Sequence, residues 1–113
     1  MDRNFGLPLL AWMIFLGSAL LEVGGDAVIR TGLRGERLPY ILAGGLMLAG
    51  YGLLVNTVKW DFSRMLGVYV AVFALVSVLW GRFVFGEVVT GSTWFGLALI
   101  VAGGLVIQLG QGR

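Results

Sequence analysis

The chain has 113 residues, 58% of them hydrophobic and 12% charged, with a mean hydropathy of +0.94 and a formal net charge of +2. A soluble domain of this size carries about 25% charged residues and has no means of hiding this much apolar surface, so the composition is that of an integral membrane protein. The absence of Cys excludes disulfides and thiol chemistry, the absence of His removes the commonest metal ligand and the usual neutral-pH base, and the small, scattered charge excludes a nucleic-acid-binding stripe.

The first span is predicted from about Leu7 to Ile29, with Pro8 acceptable in a first helical turn. No small-residue cleavage site follows it, so it reads as a retained helix and not a signal peptide. TGLRGERLP reads as a short polar turn, and the second span runs from about Pro39 to Val58. KWDFSR connects it to a third span from about Met65 to Phe85, and GEVVTGS leads to a fourth from about Thr93 to Leu109. Each stretch is close to the roughly 20 residues that cross a bilayer. The runs are continuously apolar, not alternating, which argues against a closed barrel. The connectors are short, so neighbouring helices must be antiparallel. Residues 1–113 are therefore expected to form a single all-α, four-helix transmembrane domain in the plasma membrane, the inner membrane of a bacterium.

One chain of four helices can barely enclose a substrate cavity, so assembly as a homodimer is expected. Small residues on the second span (Ala43, Gly44, Gly45, Ala49, Gly50, Gly52) and the fourth (Gly96, Ala98, Ala102, Gly103, Gly104) would permit close backbone approach. Gly45–Ala49 and Ala98–Ala102 have the small-xxx-small spacing that favours helix pairing in lipid. Packing within one chain would use the same spacing. The Lys/Arg balance gives no orientation. Arg3, Lys59, Arg64 and Arg113 fall on one side, Arg30, Arg34, Arg37 and Arg82 on the other. Either the Arg30–Arg37 cluster decides, or both orientations are made and pair as an antiparallel, dual-topology dimer.

Glu22 is the most informative residue. No other charge occurs between Leu7 and Asp26. An ionisable side chain inside a span costs about 2.5–3.5 kcal/mol on insertion scales, and such groups mark ion and proton pathways. Glu22, Asp26 and Arg30 follow at i, i+4 and i+8, so they share one helical face. Arg30 can snorkel to the headgroups and Asp26 can pair with it. Glu22 lies deeper, and no Lys or Arg of the other spans lies at matching depth. Low dielectric disfavours a bare carboxylate, so a group placed there can trade a proton for a cation. The alternative is a Glu satisfied by an interhelical hydrogen bond.

Ser18, one turn before Glu22, could hydrogen-bond it or line a cavity. Aromatic faces hold hydrophobic cations, and the candidates within the spans are Trp12, Tyr51, Tyr69, Phe73 and Trp80. Tyr69, mid-span with a hydroxyl that wants a partner, is the first choice. The proton and substrate site is thus expected at Glu22, Asp26, Tyr69, Ser18, Trp12 and Phe73, with Gly96, Ala98, Ala102, Gly103 and Gly104 as dimer packing. Trp60 and Trp94 read as interfacial belt residues. Asn56 and Gln108 lie near helix ends, within reach of water. No nucleophile–base pair, metal cluster or phosphate loop is visible. The chain is therefore not expected to be an enzyme, nor to carry a cofactor or metal.

With these residues in place, nearly the whole chain resembles the small multidrug resistance (SMR) family of the drug/metabolite transporter superfamily. Glu22-Val23-Gly24-Gly25 followed by Arg30 resembles the family's Glu-Val-x-Gly with a basic residue eight positions after the acid. Gly96 to Ile107 resembles its glycine-containing fourth helix, and Phe85-Gly86-Glu87 the turn before it. The resemblance implies an antiparallel dual-topology homodimer that exchanges protons for hydrophobic or guanidinium-like cations. Its essential acid would fall at Glu22 and its third-helix aromatic near Tyr69. Gly67-Val68-Tyr69-Val70 is closer to the related YnfA-type four-helix proteins. Asp26 is an extra acid where SMR members usually carry a small or hydroxylic residue, and no tryptophan stands near Tyr69. The last helix also resembles small subunits of lipid-linked aminosugar flippases. Those generally lack the deep first-helix acid, so a flippase subunit or a non-transporting membrane partner is the second expectation. The first is a proton-coupled antiporter of small cations that works by alternating access.

Overall fold

The structure, a computed structural model, describes residues 6–110. Arg3 and Arg113 of the charge balance lie outside the described residues. Four helices follow in order: α1 (Gly6–Gly35), α2 (Leu38–Val55), α3 (Phe62–Phe83) and α4 (Gly91–Gly110). No strand occurs among the described residues, and all four helices are long and apolar enough to cross a membrane. The chain divides into two compact units, Met1–Lys59 with α1 and α2, and Trp60–Arg113 with α3 and α4.

In the first unit α1 runs six residues past its expected end at Ile29. The first five residues of the segment read as a polar turn, 31–35, continue the helix. Thr31 Oγ1 donates back to the Ala27 carbonyl at 2.9 Å, and Arg34 stands in the last turn, where a cation complements the helix dipole. The helix stops in a Schellman-type cap. Arg37 N–H donates to the Gly32 carbonyl at 2.8 Å across Glu36, whose φ is +56°. Glycine is the usual residue at that left-handed position, because a Cβ there crowds the backbone. Glu36→Gly is accordingly expected to stabilise the fold by about 1 kcal/mol, read as a higher unfolding midpoint in detergent. Pro39, in the first turn of α2, then starts the return helix.

The hairpin is antiparallel and close. A Cβ built on Gly44 would lie 2.6 Å from the Gly25 carbonyl oxygen and 2.5 Å from Ile29 Cγ1. One turn along, Gly25 faces Leu48, and further down Leu21 faces Gly50 and Gly17 faces Leu54. The face of α2 turned to α1 is therefore that of Gly44 and Leu48. Gly45 and Ala49, one residue on, are exposed, and nothing stands within 4 Å of Gly45. Leu46 and Leu53 are 76% and 77% exposed, so the outer side of α2 is a surface for lipid or for another chain.

In the second unit α3 and α4 are also antiparallel. Gly104 packs so tightly on Ala71 that an added Cβ would lie 2.6 Å from the Ala71 Cβ. Near the start of α3, Arg64 stacks on the Trp60 ring at 3.7 Å and donates to Gln108 Oε1 at 3.1 Å. The Gln108 carbonyl oxygen thus has a partner on the neighbouring helix. Asn56, exposed at the end of α2, donates its Nδ2–H back to the Gly52 carbonyl at 2.8 Å. Helix α3 ends in a widened turn. The N–H groups of Val84 and Phe85 both point to the Trp80 carbonyl, and Glu87 N–H reaches the Gly81 carbonyl at 2.9 Å. Gly86 supplies the positive φ of +69° that this turn needs. Thr90 then opens α4, its hydroxyl accepting the Thr93 N–H at 3.3 Å.

Candidate functional site

Extension of α1 changes the depth of its acid. Helix α1 runs from Gly6 to Gly35, and Glu22 stands near its middle, sixteen residues from one end and thirteen from the other. At about 1.5 Å per residue that is roughly 24 Å from one end and roughly 20 Å from the other, deep within the helix. Glu22 is half-buried. Asp26 and Arg30, one and two turns toward the end of the helix, are exposed, as expected for charges that reach toward the headgroups.

Ala11, Phe15, Ser18 and Glu22 recur at helical spacing and form one stripe of α1. Phe15 and Ser18 are fully buried and Ala11 nearly so. The Ser18 Oγ has no hydrogen-bond partner among the described residues. A serine inside a helix usually satisfies itself by donating to the carbonyl four residues back. Left without a partner, a buried hydroxyl costs about 1–3 kcal/mol. One turn from the acid, the chain therefore keeps a polar atom that its own backbone does not use. Trp12 extends the stripe, its ring edge-on to Phe15 with centroids 5.9 Å apart and planes at 86°.

From α2 the register brings Tyr51 to this level. The Tyr51 hydroxyl lies within electrostatic reach of the Glu22 carboxylate, and both side chains are half-buried. The sequence offers Tyr51 as one of several aromatic candidates, with Tyr69 as the first choice. What brings Tyr51 to the acid is the helix register, which depends on which glycines of the hairpin touch.

The remaining expected residues stand on α3 and α4. Tyr69 is buried and Phe73 half-buried, their rings 6.4 Å apart and tilted by 35°. Ser18, Glu22, Asp26 and Trp12 thus belong to the first unit, Tyr69 and Phe73 to the second. Of the small residues on α4, Gly104 faces α3 within the same chain, while Ala98, Ala102 and Gly103 are exposed and Gly96 is half-buried. No group of three or more carboxylates able to hold a metal occurs among the described residues.

Comparison with known proteins extends over almost the same residues. The family described as "Uncharacterised BCR, YnfA/UPF0060 family" matches residues 9–113. A UPF0060 membrane protein of Halalkalibacterium halodurans is 31% identical over 96 residues, 83% of this chain and 89% of the relative. One from Synechocystis is 28% identical over 97 residues, 85% and 90% of the two chains. One from Staphylococcus carnosus is 39% identical over 71 residues, 61% and 66%. No solved structure matches the chain significantly. These relatives are bacterial membrane proteins, and with four apolar helices of spanning length the chain is an integral protein of the bacterial inner membrane. The likeness of its third helix to YnfA-type proteins is the one the whole chain bears out: this protein belongs to the YnfA/UPF0060 family.

Proposed function

We propose that the protein is a proton-coupled antiporter that exports small cationic or hydrophobic-cationic compounds by alternating access, with Glu22 as the shared site of proton and cargo. The observation that carries this reading is the seat of Glu22 near the middle of a helix long enough to cross a membrane. A carboxyl group at that depth is more easily held neutral than charged, so it has reason to take either a proton or a cation. The buried Ser18 hydroxyl one turn away and the Tyr51 hydroxyl of α2 add polar atoms that a bound cation could share. The resemblance of the Glu22 segment and the fourth helix to SMR transporters supports the same chemistry. On this reading two copies assemble as an antiparallel, dual-topology homodimer. The apolar outer faces of α2 and α4, with Ala98, Ala102 and Gly103 exposed, offer surfaces for that assembly. Transport needs no covalent chemistry, cofactor or metal.

The test is proton release. The purified chain in weakly buffered detergent is titrated with tetraphenylphosphonium and, separately, with guanidinium. Binding is expected to acidify the solution in proportion to the cation bound, because the two compete for one carboxylate. Binding without proton release overturns the reading.

A further inference from the structure

We propose that the Tyr51 hydroxyl is the hydrogen-bond donor that α2 supplies to the Glu22 carboxylate, so that Tyr51 sets how readily this acid gives up its proton to make way for a cation. The inference deepens the exchange reading above and rests on it for its functional meaning. Its first support is geometric. Three successive turns of α1 meet α2 at Gly17 with Leu54, Leu21 with Gly50, and Gly25 with Gly44 and Leu48. Glu22 directly follows Leu21 and Tyr51 directly follows Gly50, so acid and phenol stand at one level of the hairpin.

The second support is elimination. Helix α2 contains no Asp, Glu, Lys or Arg, and its titratable side chains are Tyr40 and Tyr51. Tyr40 is occupied at the far end, where Arg37 Nη1 donates to its hydroxyl at 3.2 Å. On α1 the nearest charges are Asp26, one turn on, and Arg30 beyond it, both exposed. Tyr51 is therefore the titratable group that α2 brings to Glu22, and the charge of Glu22 acts on the phenol.

The chemistry follows from the donor. A phenolic O–H can donate to a carboxylate, and such a bond favours the ionised acid over the protonated one. The low dielectric of a half-buried site strengthens it. The phenol would thus hold Glu22 ready for a cation at a pH where a carboxyl among apolar side chains alone would stay protonated.

Tyr51→Phe in the full chain, reconstituted in lipid nanodiscs, removes the donor and keeps the ring. Two readouts are followed against pH: tetraphenylphosphonium binding, and the infrared carboxyl band of Glu22, assigned by its loss in Glu22→Gln. Both midpoints are expected to move up by about one pH unit, a tenfold change in proton affinity. Incorporation of 3-fluorotyrosine at Tyr51, a stronger donor of nearly the same size, is expected to move them down. Tyr40→Phe should leave them in place. Superposition of the Tyr51→Phe and 3-fluorotyrosine profiles on the wild type overturns the assignment. The infrared arm needs no transport, so it decides on Tyr51 even if Glu22→Gln binds the cation as the wild type does, the outcome that would sink the exchange reading.

Discussion

Replacement of Glu22 by Gln is expected to abolish pH-gradient-driven cation uptake into proteoliposomes while leaving the protein folded. The amide has almost the size of the carboxyl group and can still accept a hydrogen bond, so packing around Phe15, Ser18 and Val23 should survive. The energetic cost of a charge at mid-span also disappears, since an ionised acid there costs about 2.5–3.5 kcal/mol on insertion scales. The variant should therefore match or exceed the wild type in thermal stability. What it loses is the single atom group that can bind a proton in one half of the cycle and a cation in the other. Glu22→Asp keeps the charge but retracts it by one methylene, and should retain a slower activity with an altered pH profile. Uptake at the wild-type rate in Glu22→Gln would remove Glu22 from the mechanism.

The second large effect is structural. Gly44→Val should disrupt the first unit, because its Cβ would lie 2.6 Å from the carbonyl oxygen of Gly25, a backbone atom that cannot swing aside. Overpacking commonly costs about 1–3 kcal/mol, and a clash with backbone belongs at or above the upper end. The expected readout is a clear loss of the monodisperse peak in size-exclusion chromatography, or a fall of many degrees in the thermal midpoint. Gly45→Val is the control. That position is exposed with nothing within 4 Å, and valine there should be tolerated. Equal damage at both positions would mean that α1 and α2 do not pack through Gly44.

This pair of neighbours also shows how far the sequence could be read. The four spans were legible because apolar runs of bilayer length carry a signal no soluble fold produces. Glu22 was legible because a lone charge inside such a run stands out against every residue around it. The end of α1 was not. Thr31, Arg34 and Gly35 look like turn residues, yet a helix can continue through them until a left-handed residue caps it, and here that residue is Glu36. Small-xxx-small spacing offered Gly45 and Ala49 for pairing between chains or within one, and within the chain it is Gly44 that faces α1. Spacing gives the period of a stripe and not which stripe is turned inward, and a shift of one residue rotates the helix by about 100°. That Tyr51 stands at the level of Glu22 was hidden for the same reason: its depth could be counted, but the side it faced could not. Gln108 was assigned to water because its partner, Arg64, comes from another helix and is distant in sequence.

The unequal lengths of α1 and α2 act on the lipid. With 30 residues against 18, α1 is longer than α2 by about 18 Å. A bilayer thin enough to suit α2 leaves the Arg30–Arg34 turn standing among phosphates, whereas a thick one draws those guanidinium groups toward acyl chains unless α1 tilts less. Membrane thickness thereby becomes a handle on the inclination of α1, and through it on how far the carboxyl near its middle sits from water on either side.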